Sequence, residues 1–280
     1  KCEYPIVIKA DGLAAGKGVV ICNDFLSAKS SIHDFMVVDI FKGSGKKIVI
    51  EEFLEGVEAS ILSITDGKVI LPFVSSKDHK QIFDGGIGPN TGGMGAIAPN
   101  PYCTKEVLDE FHKNILLPTL KGIQEEKMDY RGIIFFGIMI TKKGVYSLEY
   151  NVRFGDPETQ AVLPLMKSDF TKLIISAIDG DLENFDLQWK DGYSCCLIAA
   201  SKGYPGKYNT GYEISEVGKL EGKLFLAGAT GDNGLLKTNG GRVLGITGFG
   251  GTLEKAREIA YTDMKKVQFD GMYFRKDIGK

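Results

Sequence analysis

A chain of 280 residues, 43% hydrophobic and 25% charged, is long enough for one large domain or two ordinary ones and has a globular composition. Its net charge of −2 excludes a global field that would recruit nucleic acid or an anionic membrane, and no apolar run reaches the length of a membrane span. Five scattered cysteines with no Cys-x-x-Cys spacing exclude a disulfide framework and a zinc site, and imply a reducing, cytoplasmic setting with Cys195 and Cys196 as small buried thiols.

In chain order, a strand is expected over Ile6–Lys9, a glycine loop over Gly12–Gly18 and a strand over Val19–Cys22. A helix near Leu26–Val37, opened by Asn23-Asp24, and a strand over Lys47–Glu52 complete a first block, residues 1–55. Ala59–Thr65 and Val69–Val74 read as a hairpin about Asp66-Gly67. A long glycine-rich loop is expected from Ser76 to Pro99, then a helix over Lys105–Glu126 interrupted by Pro118. Gly132–Thr141 and Val145–Val152 form a second hairpin about Lys142-Lys143-Gly144, and a helix over Asp169–Ile178 closes a second block, 56–188. The third block, 189–280, is rich in short strands (Ser194–Ala200, Lys223–Ala227, Arg242–Gly248) and has a helix over Leu253–Val267 capped by Thr252. The fold class is therefore α+β. With no start methionine before the first strand, the residues are expected to belong to a longer polypeptide.

The most informative stretch is Ser147–Glu158, Ser-Leu-Glu-Tyr-Asn-Val-Arg-Phe-Gly-Asp-Pro-Glu. In a strand, Glu149, Asn151 and Arg153 share one face and Leu148, Tyr150 and Val152 the other. Glutamate plus asparagine is hard-oxygen ligation suited to magnesium bound with phosphates, and an adjacent arginine can hold a carboxylate or phosphate. The alternative is an edge strand with a solvated polar face. Lys9-Ala-Asp-Gly-Leu-Ala-Ala-Gly-Lys-Gly-Val places a lysine at a strand end before a loop containing Gly12, Gly16, Lys17 and Gly18. Such a loop lets backbone N–H groups approach phosphates, or is an ordinary tight hairpin. It is not a P-loop: Gly12 to Gly16 is one residue short, and Gly18 stands where a Ser or Thr is required. Nor is it a dinucleotide fingerprint, because Ile21 occupies the third glycine position. Ile48-Val-Ile-Glu-Glu-Phe-Leu-Glu-Gly-Val-Glu58 is a strand ending in acids. It can offer backbone groups to a base edge and the Glu58 carboxylate to ribose hydroxyls, or it is a solvated acidic turn.

These segments occur in order with Asp78-His79-Lys80, Gly88-Pro-Asn-Thr-Gly-Gly-Met-Gly95, Asn239-Gly-Gly-Arg242 and Arg275-Lys-Asp-Ile-Gly279. As an ordered set covering nearly the whole chain, they resemble the glycinamide ribonucleotide synthetase (phosphoribosylamine–glycine ligase) family. The resemblance implies an ATP-grasp fold, in which two α+β subdomains grip ATP, followed by a small strand-rich C-terminal domain. It implies an ATP-dependent carbon–nitrogen ligase of purine synthesis that joins glycine to 5-phosphoribosylamine through glycyl phosphate. Lys9 and the Gly12–Gly18 flap would hold ATP phosphates, the Glu51 carbonyl and Leu54 N–H adenine, and Glu58 the ribose. Glu149 and Asn151 would ligate Mg2+ or Mn2+, and Arg153 would steady the acyl phosphate. Asp78, Lys80, Asn90, Thr91, Gly92 and Gly93 would line the substrate pocket. Asp156 would orient an amine or simply form the turn before Pro157. Lys276 would reach the site or remain a surface lysine, and His79 is read as a loop residue rather than a general base.

Three features depart from the family pattern. The N-terminal domain expected of the family, a further partner for this chain, is not among these residues. Gln81 stands where arginine is common, and Gly85-Gly86-Ile87 is less acidic than usual. The competing readings are a nucleotide-binding fragment without turnover and another ATP-grasp carboxylate–amine ligase. No nucleic-acid or membrane partner is implied.

Overall fold

Alternating apolar residues at the start of the chain set an opening three-stranded sheet. The computed structural model describes residues 3–14, 18–216, 218–232 and 234–280, with Glu216 and Asp232 as backbone only. Strands β1 (Ile6–Ala10), β2 (Val19–Cys22) and β3 (Ile48–Glu52) form an antiparallel sheet in the order β2-β1-β3. Ile6, Ile8 and Cys22 are buried against Ala28 and Phe35 of helix α1 (Phe25–Met36). That helix begins where Asp24 accepts from the Ser27 N–H while the Ser27 hydroxyl accepts from the Asp24 N–H, a reciprocal cap. Residues Lys1–Glu55 form one compact unit and Gly56–Lys280 another.

Among the described residues the second unit contains two larger sheets and three two-stranded ones. Strands β4 (Val57–Thr65) and β5 (Ile70–Pro72) pair about the expected Asp66-Gly67 turn. Between them and the next hairpin lies the segment expected as a loop from Ser76 to Pro99. It contains four short strands instead: β6 (Lys77–Asp78), β7 (Gln81–Phe83), β8 (Ile87–Asn90) and β9 (Gly95–Ala98). β7 and β8 pair with each other; β6 and β9 enter the second sheet. Helices α2 (Lys105–Phe111) and α3 (Leu117–Glu125) are joined by a wider turn in which the Leu117 N–H donates to the His112 carbonyl five residues back. Pro118, the expected interruption, sits in the first turn of α3, where its missing N–H costs nothing. Strands β10 (Gly132–Thr141) and β11 (Gly144–Asn151) complete the first sheet, ordered β11-β10-β4-β5. One face of it, with Ala59, Ile61, Phe136 and Ile138, packs on Phe111, Ile115 and Leu116 of the helical segment.

Helices α4 (Glu158–Val162) and α5 (Phe170–Asp179) follow, then β12 (Tyr193–Ser201), β13 (Ser215–Glu216), β14 (Lys223–Leu226), β15 (Ala229–Asp232), β16 (Leu235–Thr238) and β17 (Arg242–Gly250). Helix α6 (Leu253–Met264) and strands β18 (Val267–Gln268) and β19 (Met272–Tyr273) end the chain. The second sheet runs β14-β17-β12-β9-β6, with β19 also on β12. β12 is buried on both faces: Cys195, Leu197 and Ala199 meet Ala256, Ala260 and Met264 of α6. Cys196 and Ile198 join Leu62, Phe135, Ala161 and Leu173 in the core beneath the first sheet. This explains the uninterrupted apolar run. Burial pushes the Cys196 thiol up to about 12, so it is a packing group rather than a reactive one.

The second sheet draws strands from both 56–188 and 189–280. Residues 95–98 of the second block pair directly with residues 194–197 of the third, so the two fold around common cores. The segment reads as a loop in sequence because it is built from glycine and alanine. A Cβ at Gly95 would stand 2.6 Å from the Cys196 carbonyl oxygen, so the smallness that resembles a loop permits the close approach.

Candidate active site

In the first unit, β1 and β2 form a hairpin closed by the Ala10 N–H donating to the Gly18 carbonyl at 2.8 Å. Gly16 and Lys17 lie outside the described residues. Gly12 donates to the Ser44 carbonyl at 2.9 Å, and a Cβ there would meet Ser44 Cα at 2.7 Å; close backbone approach is what requires glycine. Val7, Lys9, Val19, Ile21, Val49 and Glu51 share the sheet face opposite α1 by register. On it Lys9 Nζ lies 2.5 Å from Glu51 Oε2. The Glu51 side chain, which has no expected part, thus holds the lysine, while Leu54 is half-buried just beyond β3.

In the second unit, the first sheet's other face carries the polar residues. Glu149 pairs across β10 with Gly137, which pairs with Ser60; Met139 pairs with Glu58. Partners in a ladder share a face, so Glu58, Ser60, Glu149 and Asn151 lie together, on the side away from α2 and α3. Asn151 Nδ2 is 3.4 Å from Glu149 Oε1. Tyr150 points the opposite way, its ring 5.4 Å from Phe136 and its hydroxyl 3.1 Å from Thr119 Oγ1. Gly137 clears the space beside the carboxylate: a Cβ there would stand 2.9 Å from Glu149 Cγ. β11 is the edge strand, so both side chains can meet a ligand.

Three details differ from the simple alternation. A bulge between Gly137 and Ile138 displaces Leu148 from the pairing register. Val152 is 71% exposed and faces no core. Arg153 lies past the end of β11, so strand geometry does not aim it; its Nη1 donates to the Phe154 carbonyl at 2.8 Å.

Lys80 is brought to this face from the segment before β7. Its Nζ is 2.6 Å from Glu58 Oε2, so the carboxylate expected to meet ribose holds a lysine expected to meet substrate. Burial disfavours the Lys80 charge, but Glu58, with Asp78 and Glu149, raises the ammonium above its ordinary value. Asp78 lies deeper, with Oδ1 sealed from solvent and without a hydrogen-bond partner. Burial, then the like charge of Glu158, pushes its carboxyl well above the usual carboxylate range against the pull of Lys80 and Arg242. Glu158 is buried, accepts from the Ser60 hydroxyl at 3.3 Å and is raised first by burial.

Thr91 ties the Asn90–Gly93 segment to Lys80: its N–H and hydroxyl both donate to the Lys80 carbonyl, each at 2.8 Å. Asn90 Oδ1 accepts from Gln81 Nε2 at 3.2 Å. The Gly92 N–H donates to Tyr204 Oη at 3.0 Å. Arg242, at the start of β17, was not among the expected site residues. Its guanidinium donates to the Gly92 carbonyl at 2.6 Å, the Asp156 carbonyl at 2.7 Å and Asp156 Oδ2 at 2.9 Å. Glu158 was also missed. The sequence signals were the Gly-Gly-Arg run and the last residue of the Gly-Asp-Pro-Glu turn, but neither shows what it touches.

The chain's last residues bind the β7–β8 hairpin. Buried Arg275 donates to the Gln81 carbonyl at 2.9 Å and to Asp277 at 2.8 and 2.7 Å, and Asp277 accepts from the Gly85 N–H at 2.7 Å. The Lys276 side chain is exposed and its N–H donates to Asp84 at 2.7 Å, which favours the surface reading of that lysine. His79 sits 3.2 Å from the Gly95 carbonyl through Nδ1 and 3.3 Å from the Gly279 N–H through Nε2, an arrangement that fixes a neutral ring. Burial, with Arg275 and Lys77, pushes it down to about 4, which fits a structural tie.

The Asp277 carboxyl is held well below the usual carboxylate range by Arg275 hydrogen bonds first, then the Gly85 N–H, with partial burial opposing. A lowered folded value stabilises the protein above the ordinary carboxyl value of 3.8 and loses that stabilisation as pH falls through the folded value. The stability gap between the protein and Asp277→Asn is expected to be about 1.5–3 kcal/mol. It should hold from neutral pH to about pH 5 and shrink below about pH 4. Urea titrations across pH check this; a gap that widens on acidification contradicts it.

An ion bound by Glu149 and Asn151 would find hard oxygens, and among the described residues no cluster of three or more acidic, histidine or cysteine side chains competes as a metal site. Magnesium or manganese taken up with phosphates needs only one or two protein ligands, so this donor set fits. Among the described residues no helix is long and apolar enough to cross a membrane.

The chain has the ATP-grasp fold. It resembles the biotin carboxylase domain of Hydrogenobacter thermophilus 2-oxoglutarate carboxylase, whose structure includes MgADP and bicarbonate, with a TM-score of 0.72 at 16% identity over 96% of this chain and 58% of that one. Within that class it belongs to the phosphoribosylglycinamide synthetase family. The model of the family's ATP-grasp (A) domain matches residues 1–159 and that of its C domain residues 194–280. Phosphoribosylamine–glycine ligase of Clostridium acetobutylicum is 69% identical over 280 residues, which are all of this chain and 67% of that protein. The crystal structure of the Thermotoga maritima phosphoribosylamine–glycine ligase has a TM-score of 0.87 and 36% identity over 98% of this chain and 69% of that one. The chain thus spans about two thirds of the length of these relatives.

Proposed function

We propose that the chain supports the ATP-dependent joining of glycine to 5-phosphoribosylamine, giving glycinamide ribonucleotide, ADP and phosphate. The observation that carries this reading is the Glu149–Asn151 oxygen pair, held on the polar sheet face and cleared by Gly137. In this reading the glycine carboxylate attacks the γ-phosphorus and ADP departs. The amine then attacks the resulting acyl phosphate and phosphate departs. Such transfers depend on positioning and charge neutralisation more than on covalent help from the protein.

Lys9 would meet phosphates, and the backbone at Glu51 and Leu54 adenine. Lys9 would exchange its bond to Glu51 for one to phosphate, a short movement for a flexible ammonium. Glu58 would meet ribose, with Lys80 fixed beside it. Glu149 and Asn151 would hold magnesium or manganese, which when bound neutralises phosphate charge. Arg153, exposed beyond β11, would swing to the transferring group, and Asp156 would orient an incoming amine. Asp78, Lys80 and the Asn90–Gly93 turn would shape the pocket for glycine and the sugar phosphate.

Arg153→Ala is expected to abolish ligation while leaving ATP affinity within a few fold, because its charge acts mainly on the transferring group. Phosphate release with ATP, glycine and phosphoribosylamine, beside ATP titration, tests both. ATP binding without product in the unaltered protein sinks the ligase reading; a large ATP-affinity loss in Arg153→Ala with turnover intact sinks the role.

A further inference from the structure

We propose that Arg242 is a positioning residue for this reaction, locking the Gly92–Gly93 turn against the Gly155–Pro157 turn and thereby fixing the Asp156 carboxylate. The inference rests on the ligase reading above. Three chain segments distant in sequence meet at one guanidinium. Nη1 donates to Gly92 O at 2.6 Å, Gly93 O at 3.4 Å and Asp156 O at 2.7 Å, while Nη2 donates to Asp156 Oδ2 at 2.9 Å. The Arg242 side chain is 20% exposed and that of Asp156 50%, so the guanidinium is partly sheltered while the carboxylate it holds stays open to solvent.

The surroundings are fitted to the arginine. A Cβ at Gly92 would stand 2.8 Å from Arg242 Cζ, so glycine lets the guanidinium lie against the turn. Tyr204 accepts from the Gly92 N–H at 3.0 Å, and a Cβ at Gly241 would stand 2.2 Å from the Tyr204 ring. The residue before Arg242 therefore makes room for a second prop on the same turn. Gln160 Nε2 donates to the other Asp156 oxygen at 2.8 Å, so both carboxylate oxygens are fixed.

A planar fork can serve a carboxylate and several carbonyls at once; a lysine ammonium, with a different geometry, cannot reproduce the set. Arg242 acts through Asp156 and the turn, not by touching the reacting atoms.

The test is a double-mutant cycle in the full protein, with Arg242→Lys, Asp156→Asn and the pair. Arg242→Lys is expected to lower kcat/KM for glycine and phosphoribosylamine by roughly 10²-fold, the scale of a small misplacement, with the ATP KM within a few fold. In the Asp156→Asn background, Arg242→Lys should cost less than about threefold, because the group it positions is already altered. A full loss in that background shows that Arg242 acts independently of Asp156 and overturns the proposal, as does unaltered turnover in Arg242→Lys. Urea midpoints control for folding, and an equal fall in ATP kcat/KM through KM marks a merely structural defect and also overturns it. Absence of turnover in the unaltered protein instead fails the ligase reading.

Discussion

Replacing Glu149 with glutamine is expected to reduce ligation by about 10²–10³-fold, the scale of removing one electrostatic contact from a transition state, and to raise the metal concentration needed for half-maximal turnover. The carboxylate is exposed on the edge strand β11, where the Asn151 amide lies 3.4 Å from it. Glutamine keeps the shape, the register opposite Gly137 and one oxygen, so folding stability should change by less than about 0.5 kcal/mol. Stability therefore separates from function at this residue. Asn151→Ala should shift the metal requirement in the same direction by less, because a neutral amide oxygen is the weaker ligand. Phosphate-release assays over a magnesium series, with urea midpoints alongside, measure both quantities. An unchanged metal midpoint in Glu149→Gln removes the pair from the metal site.

That pair was legible in sequence because period-two alternation puts residues 149 and 151 on one face wherever the strand lies. The same rule failed two residues later. Arg153 is past the last ladder pair, and a bulge had already shifted Leu148. The Asp66-Gly67 turn was readable from residues adjacent in sequence. The strands between Ser76 and Pro99 were not, because their glycines and prolines carry a turn signal. Gly95–Ala98 becomes a strand by pairing with β6 and with β12, the latter about a hundred residues away. Arg242 was invisible as a site residue for the same reason: its partners, backbone carbonyls at Gly92 and Asp156 and the Asp156 carboxylate, lie far from it in sequence. Glu58 and Lys80 were each named for separate ligands, and only the sheet register shows them as an ion pair beside Glu149.

Gly93→Ala is expected to be the most damaging single-methyl change in the Asn90–Gly93 turn, costing about 2–5 kcal/mol of stability. The backbone there has φ +111°, which an alanine adopts only with strain. Space is also lacking: an added Cβ would stand 2.4 Å from Pro157 Cδ and 2.6 Å from Asp78 Oδ1. Neither neighbour can easily retreat. The proline ring is rigid and follows Asp156, which Arg242 holds, and the Asp78 oxygen is sealed from solvent. Relief must therefore move the Asp156 turn, and ligation should fall by roughly 10²-fold even under conditions where the variant is folded. Gly85→Ala isolates the backbone contribution: φ is +77°, but nothing lies within 4 Å of the added carbon. It should cost only about 1 kcal/mol and leave the rate nearly unchanged. Urea midpoints and phosphate release for the two variants decide the matter. If Gly93→Ala is no less stable than Gly85→Ala, the contact between the Gly93 turn, Asp78 and Pro157 does not constrain the site.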